Sequence, residues 1–384
     1  MKEIYLDVAA TTKPKQEVID AMIPYLIDKW YNPSSLYSPA TKIGRDIKKA
    51  RQTVGDFIGA KGEEIYFCSC GSEANCFAIQ GFVNECLSHN KKPIVITSVI
   101  EHKSILECIK NLHNTDVYYV DVNSIGLIDL VMLCDLLKDV SHRIKSQTAN
   151  VLVSIQYSNN EVGTTQHIKD IANLVHKYGG VFHTDAVQSF GQMDINVKKL
   201  NIDMMTVSGH KIGAPKGVGF LYKKSGVNIK PLIYGSQMDS MRGGTENVPY
   251  VIGMAKAVEI LDIDNKIAVA NVSDYMIEKL VNKFGCKLNG AEIGRLPNNI
   301  NVTFPQNITG EGLLYILDMS KIRASTSSAC NSKEIKPSQV LKAIGLTDDE
   351  AMRTVRFTLS EDITYQDVDT VIEEIDKAIK VISL

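Results

Sequence analysis

Lys211 follows directly on the apolar run Met204-Met205-Thr206-Val207, within the tetrapeptide Ser208-Gly209-His210-Lys211. A lysine just past a strand end can condense with an aldehyde, and small hydroxyl and glycine neighbours can hold a phosphate. The same tetrapeptide also suits an ordinary solvated loop. Asp185 ends the preceding strand-like run, in His183-Thr184-Asp185-Ala186-Val187-Gln188. A carboxylate there can keep an aromatic ring nitrogen protonated and make the ring an electron sink, or it can simply cap a helix.

Three more polar clusters trail strand-like runs. Ser69-Cys70-Gly71-Ser72-Glu73-Ala74 lies between Ile65-Tyr66-Phe67 and a helix expected from near Ala74. Glycine and hydroxyl at a helix start offer N–H groups and a positive dipole end to a phosphate; a plain capped helix has the same residues. Glu101-His102-Lys103-Ser104 supplies an imidazole that can stack on a ring and move protons, although a lone histidine is more often structural. Tyr157-Ser158-Asn159-Asn160-Glu161-Val162-Gly163 places an amide where it can reach a phenolic oxygen. Aldehyde, phosphate, ring nitrogen and phenolic oxygen are the groups of pyridoxal phosphate (PLP). Cys330 sits in a run of small and polar residues, Ser325-Thr326-Ser327-Ser328-Ala329-Cys330-Asn331-Ser332-Lys333. That texture predicts an exposed loop whose thiol can visit a cofactor and then present its cargo outside, rather than the buried position usual for a free cysteine.

These residues need a scaffold that gathers strand ends. From 91 to 222 short β-branched runs alternate with amphipathic stretches, the clearest strands falling at 94–97, 117–120, 151–155, 181–184 and 204–207. Ile168, Ile171, Ala172 and Val175 form a helical stripe closed by Gly179-Gly180. The alternation predicts a parallel sheet covered by helices, with ligands at the carboxyl ends of its strands. A loop-rich stretch at 226–249 leads into a helical pattern on Val251, Met254, Ala255, Val258 and Leu261, in or just after which a domain boundary is expected. Beyond it, strands at 299–304 and 355–359 and a last helix over 364–382 predict a smaller α+β domain. Thr364 and Asp367 would form that helix's capping box, and Val368, Val371, Ile372, Ile375 and Ile379 its apolar face.

Composition narrows the function. The 384 residues are 44% hydrophobic with a net charge of −2, so no strong field favours nucleic acid or an anionic membrane. The first residues lack a basic stretch followed by an apolar core, and no apolar run reaches the roughly 18 residues that span a bilayer, so a cytoplasmic enzyme is expected. Eight scattered cysteines do not form a disulfide scaffold. Cys68, Cys70 and Cys76 lack the paired spacing of zinc sites and read as packing residues, as do Cys86, Cys108, Cys134 and Cys286.

In this order the segments resemble the cysteine desulfurases of the NifS/IscS type, within the fold-type-I PLP enzymes. The resemblance runs nearly end to end, through Tyr5-Leu6-Asp7, Ala10-Thr11-Thr12, Asn32-Pro33-Ser34-Ser35, the clusters at 183–188 and 208–211, Pro215-Lys216-Gly217-Val218-Gly219, Arg242-Gly243-Gly244-Thr245, Ser328-Ala329-Cys330 and Val355-Arg356-Phe357. It implies an α/β fold-type-I PLP transferase. A large PLP-binding domain with a mostly parallel sheet would span 15–255, and a smaller α+β domain, 1–14 with 256–384, would carry the catalytic cysteine loop. It further implies that Lys211 joins the cofactor covalently, Asp185 pairs with the pyridine nitrogen, His102 stacks on the ring, and Asn160 and Gln188 bind near the phenolic oxygen. Gly71, Ser72, Ser208 and His210 would hold the phosphate, joined by Thr245 from a second subunit of a homodimer. Arg356, with Asn160, would bind substrate through its carboxylate, for which a planar fork of donors is suited. Cys330 would be the nucleophile that takes sulfur from L-cysteine as a persulfide, leaving L-alanine. The sulfur would pass to an acceptor or scaffold protein for iron-sulfur cluster assembly or RNA thiolation. No intrinsic metal is implied, although Cys330 would be able to ligate a nascent cluster transiently with a partner.

Some positions depart from the family pattern: Cys70 where glycine is usual, Cys76 for Asn, Tyr37 for His, Ser327 for the glycine before Ser-Ala-Cys, and Ser360-Glu361 after Arg356-Phe357-Thr358-Leu359. None removes a catalytic group. Ser327 would stiffen the sulfur-carrying loop and Glu361 would change charge near the substrate entrance. Alternatives are a selenocysteine lyase, an aminotransferase, which would not need Cys330, or a weakened paralogue that binds a sulfur acceptor.

Overall fold

The computed structural model describes residues 2–305, 308–326 and 337–382. After a two-residue strand β1 (Ile4–Tyr5), the chain builds a seven-stranded sheet. Its strands are β2 (Ile65–Cys68), β3 (Lys92–Ser98), β4 (Asp116–Val120), β5 (Ala149–Ser154), β6 (Val181–Asp185), β7 (Met204–Ser208) and β8 (Gly219–Lys223), in spatial order β2-β8-β7-β6-β5-β3-β4. The middle of this sheet is apolar on both faces, as in the fully buried Val151-Leu152-Val153 of β5 and Met204-Met205 of β7, which is what a parallel sheet covered by helices requires. Only β8 runs against its neighbours, paired antiparallel with both β2 and β7. Two reversals restore the direction, so β2 ends at the same edge as the parallel strands.

Helices α1 (Gln16–Ile27), α2 (Ser38–Phe57), α3 (Gly71–Ser88), α4 (Lys103–Lys110), α5 (Leu130–Lys145), α6 (Ile168–Lys177) and α7 (Val248–Glu259) accompany this sheet. The stripe Ile168, Ile171, Ala172 and Val175 forms the buried face of α6. Helix α3 starts three residues earlier than expected, at Gly71, and the Ser69 N–H just before it donates to Glu73 Oε2 at 2.7 Å.

The rest of the chain carries α8 (Lys266–Phe284), β9 (Lys287–Leu288), β10 (Asn299–Thr303), α9 (Gly310–Met319), β11 (Ile322–Arg323), α10 (Gln339–Ala343), α11 (Asp348–Met352), β12 (Thr354–Thr358) and α12 (Tyr365–Ile382). Strands β9, β10 and β12 make an antiparallel sheet, while β1 pairs in parallel with β11. The capping box before α12 forms as expected: the Asp367 N–H donates to Thr364 Oγ1 at 3.2 Å and the Thr364 N–H to Asp367 Oδ2 at 3.1 Å. Val368, Val371, Ile372, Ile375 and Ala378 are buried along one face of α12, each worth roughly 1–3 kcal/mol of transfer free energy.

Two main apolar clusters result. One runs from Val18 to Val258; the other joins Ile4 and Leu6 to residues between Val269 and Ala378. A third, small cluster sets Val340, Leu341 and Ile344 against Ile100 and Val162, so the segment around α10 packs on loops of the large sheet.

Candidate functional site

The parallel pairing of β6 with β7 sets Asp185 level with Thr206, and Lys211 follows β7 in a single 3-10 turn, Gly209–Lys211. Asp185 is buried at 7% exposure, where a carboxylate needs partners. Its Oδ1 accepts from the Val187 N–H at 2.9 Å and its Oδ2 from Asn75 Nδ2 at 2.7 Å, so it caps the following turn and still presents its charge to the sheet edge. The Asn75 amide also donates to Ser104 Oγ at 2.9 Å, and that hydroxyl lies 2.7 Å from His102 Nδ1. The Ser104 N–H donates to the same nitrogen at 3.1 Å, making Nδ1 the acceptor and leaving the neutral ring's proton on Nε2. His102 is exposed at the start of α4, yet the protein around it desolvates the ring. That burial, with the charges of Lys211 and Lys103, holds its pKa below the ordinary value against the opposing pull of Asp185.

Glu101, one residue earlier, is buried. Its carboxylate accepts from Ser98 Oγ at 2.5 Å and from the Gln156 N–H at 2.9 Å, and burial above all pushes its pKa up to about 8. Through these bonds Glu101 ties the end of β3 to the loop after β5.

Residues 9–12 form a strap across the end of the sheet. Lys211 Nζ donates to the Ala9 carbonyl and to the Ala10 carbonyl at 2.8 Å, and Gln188 Nε2 donates to the Ala9 carbonyl at 3.1 Å. The Thr12 N–H donates to the His210 carbonyl at 2.8 Å, and Thr11 Oγ1 meets His210 Nδ1 at 3.1 Å. Burial, then the charges of Lys211 and Lys216, pushes the His210 pKa down to about 4, so the ring is neutral near pH 7. Lys211 also lines a cavity of about 210 Å³ with Thr12, Lys15, Lys266 and Glu361. There Glu361 pairs with Lys266 and, at 3.6 Å, with Lys15, so two lysines balance the charge that departs from the family pattern.

At the neighbouring strand end, a Cβ on Gly71 would fall 3.0 Å from Val187 Cγ2 and 3.3 Å from Ser208 Cβ. The glycine therefore lets the first turn of α3 close on Ser208. Ser72 is exposed in the same turn. Thr245 is not brought to Lys211: it is exposed and lines a separate cavity of about 130 Å³ with Cys68, Ser69 and Arg242. Its loop is anchored by Arg242, which donates to Glu73 through Nε at 2.9 Å and Nη2 at 3.3 Å.

Arg356 reaches the site from β12 and is 7% exposed. Nη1 donates to the Asn160 carbonyl at 3.0 Å and Nη2 to Asp7 Oδ1 at 2.8 Å, while the buried Nε has no partner among the described residues. A buried guanidinium with a donor to spare is suited to an incoming carboxylate. Cys330 lies outside the described residues, as does Ser327. The flanks of that segment are described. Ser325 pairs with Arg356 through both backbone bonds, 2.7 and 3.1 Å, and Ser338 donates to the Glu161 carboxylate beside Asn160.

Asn75, Asp7 and Glu101 have no assigned role in the sequence reading, although Asp7 and Glu101 fall within quoted segments. Asp185 lies 110 residues from Asn75 and Arg356 lies 349 from Asp7, and although Glu101 has Ser98 close by, its other partner, Gln156, is 55 residues away. His183, inside the motif, is a core residue held between Ser154 Oγ at 2.9 Å and Thr206 Oγ1 at 3.1 Å. The cysteine grouping comes apart: Cys68 is buried and its thiol pushed up in pKa, whereas the influence of Cys108 of α4 lowers Cys76 to about 7. Among the described residues no group of three or more His, Cys, Asp and Glu is arranged to hold a metal ion.

The donor set fits PLP: a lysine, a buried carboxylate one strand away, a histidine electrostatically coupled to both, and a helix start closed on a serine. The sequence matches the aminotransferase class-V family over residues 4–371. It is 39% identical to the cysteine desulfurase IscS of Dictyoglomus turgidum over 386 residues, covering 99% of this chain and 95% of the relative. Among solved structures it resembles a NifS-like protein at a TM-score of 0.89 and 31% identity, covering 99% of this chain and 100% of the other. It also resembles SspA in complex with cysteine, at a TM-score of 0.79 and 35% identity, covering 93% of this chain and 99% of that one.

Proposed function

This chain belongs to the aminotransferase class-V family, and from that premise we propose that it is a PLP-dependent cysteine desulfurase, which converts L-cysteine to L-alanine and retains the sulfur. The observation that carries the reading is the position of Arg356. A buried guanidinium whose Nε has no partner among the described residues stands beside both flanks of the Cys330 segment. PLP, when bound, supplies an electrophile for the amino group and a ring that stores the electrons released at the substrate Cα. Lys211 would hold it covalently, Asp185 would keep its ring nitrogen protonated, His102 would stack on the ring, and Asn160 and Gln188 would bind near its phenolic oxygen. Gly71, Ser72, Ser208 and His210 would receive its phosphate.

The protein's own groups then divide the work. Arg356 and Asn160 orient L-cysteine by its carboxylate. Lys211 removes the Cα proton and later returns one. The Cys330 thiolate attacks the substrate sulfur: the S–S bond of a persulfide forms as the Cβ–S bond breaks, and protonation of the carbon fragment gives L-alanine. The persulfide passes its outer sulfur to an acceptor protein, in iron-sulfur cluster assembly or RNA thiolation.

The two main apolar clusters support a division into a domain of 15–255 and one of 1–14 with 256–384. We take the working form to be a homodimer whose Thr245 loop completes the partner's phosphate site, and its place to be the cytoplasm. Among the described residues no helix is long and apolar enough to cross a membrane. Incubation of purified protein with L-cysteine tests the activity: L-alanine and sulfane sulfur should appear in equal amounts. Cys330→Ser should keep the cofactor's colour and lose alanine release; undiminished release would overturn the persulfide route.

A further inference from the structure

We propose that Asp7 is a positioning and specificity residue: by sharing the Arg356 guanidinium it makes the cleft select substrates that bring an ammonium group along with their carboxylate. The inference deepens the reading of Arg356 as the carboxylate clamp and rests on it. Arg356 is buried, and an unpaired guanidinium there would be costly. Asp7 Oδ1 offsets that cost by accepting from Nη2 at 2.8 Å, while the Asn160 carbonyl holds Nη1, so two contacts fix the plane of the fork, and Nε has no partner among the described residues. Asp7 is itself rigidly seated. The Val8 N–H donates to the Thr358 carbonyl at 3.3 Å and the Thr358 N–H to the Leu6 carbonyl at 2.7 Å, so residues 6–8 run beside β12. The Tyr5 hydroxyl donates to the Asp7 carbonyl at 3.0 Å.

Before substrate arrives Asp7 and Arg356 cancel. A carboxylate that binds the remaining face of Arg356 puts two anions on one cation, and the pair becomes net negative. A zwitterionic amino acid brings its own positive charge and restores neutrality; a simple carboxylate does not. Lys211 is the other cation acting on Asp7, and it is the group that the substrate amine replaces on the cofactor. Asp7 therefore favours a positive charge at the position where amine and lysine exchange.

The test compares L-alanine with propionate, which differ only in the amino group, by calorimetric titration of the cofactor-loaded protein. Asp7→Asn should tighten propionate and narrow the preference for L-alanine by about tenfold, the size expected for losing one neighbouring charge at a partly buried site. Asp7→Glu should restore the preference. Should Asp7→Asn fail to fold, Asp7→Ser, which also removes the charge, reads the same ratio. A residue that only props up Arg356 would weaken both ligands alike, so a preference within twofold of the original overturns the proposal. Arg356→Gln separates the two levels of the argument. If it binds both ligands as tightly as the original protein, the clamp reading fails. If it weakens both and Asp7→Asn leaves their ratio intact, only the role of Asp7 fails.

Discussion

Asp185 depends on a donor from another element. Asn75 Nδ2 at 2.7 Å and the Val187 N–H at 2.9 Å each donate to one of its oxygens, the partners a buried carboxylate needs. Asn75→Ala removes one of them and should loosen cofactor retention by about tenfold, since a hydrogen bond to a charged group is worth roughly 1.5–3 kcal/mol. Loss of cofactor absorption on dialysis measures it, and unchanged retention would show that Asp185 does not need Asn75. Lys211→Ala should abolish the covalent attachment altogether. The variant, reduced with borohydride in the presence of cofactor, should carry no label, and a labelled protein would mean that another lysine does the work. Lys211 and Asp185 were legible in the sequence because each follows an apolar β-branched run, and chain direction alone decides which edge such residues occupy. Asn75 and Asp7 were not. Their partners lie 110 and 349 residues away, and only the assembled fold brings those segments together.

At the scale of elements, the five parallel strands declared themselves as β-branched runs, while other features had no local mark. The antiparallel sense of β8 is invisible because an apolar run reads the same in either direction, and two-residue strands such as β1 and β11 are too short for any periodicity. The elements also differ in what pH does to them. His183 of β6 is buried and its pKa falls from the ordinary 6.5 to about 3. A depressed histidine contributes stability that is present above pH 6.5 and lost as pH falls toward 3, because the unfolded chain takes up the proton first. Glu101 works in the opposite sense: burial raises it from 4.5 to about 8, so its contribution is full below pH 4.5 and is lost as pH rises through 8. Each changes stability by up to about 1.4 kcal/mol per pH unit within its window. Urea midpoints measured from pH 5 to 9 should therefore fall less steeply on the alkaline side in Glu101→Gln than in the original protein. Parallel curves would mean that Glu101 is ionised in the fold.

The whole molecule leaves apolar surface that a lone chain has no use for. On and after α1, Leu26 is 59% exposed, Ile27 66%, Trp30 67% and Leu36 96%, and this cluster continues to Tyr37. Isolated exposed apolar residues are ordinary, but several large ones along one stretch mark a contact face. Closed two-fold pairing is the commonest arrangement for soluble homo-oligomers, and the role proposed for the Thr245 loop would give such pairing a chemical reason. Within one chain the Arg242–Glu73 ion pair holds that loop over a cavity apart from Lys211. On the proposed reading, Thr245 would serve the phosphate of another chain. Leu26→Lys with Trp30→Glu should shift sedimentation from dimer toward monomer and weaken cofactor retention at the same time. Mixing Thr245→Ala with Lys211→Ala protein gives the sharper measurement. If each site takes Lys211 from one chain and Thr245 from the other, a mixed dimer holds one site with both groups and one with neither. Half of the mixed dimer's sites then regain tight, borohydride-reducible cofactor, a state that neither parent reaches. A mixture that binds cofactor only as the average of its parents would place Thr245 outside the partner's site.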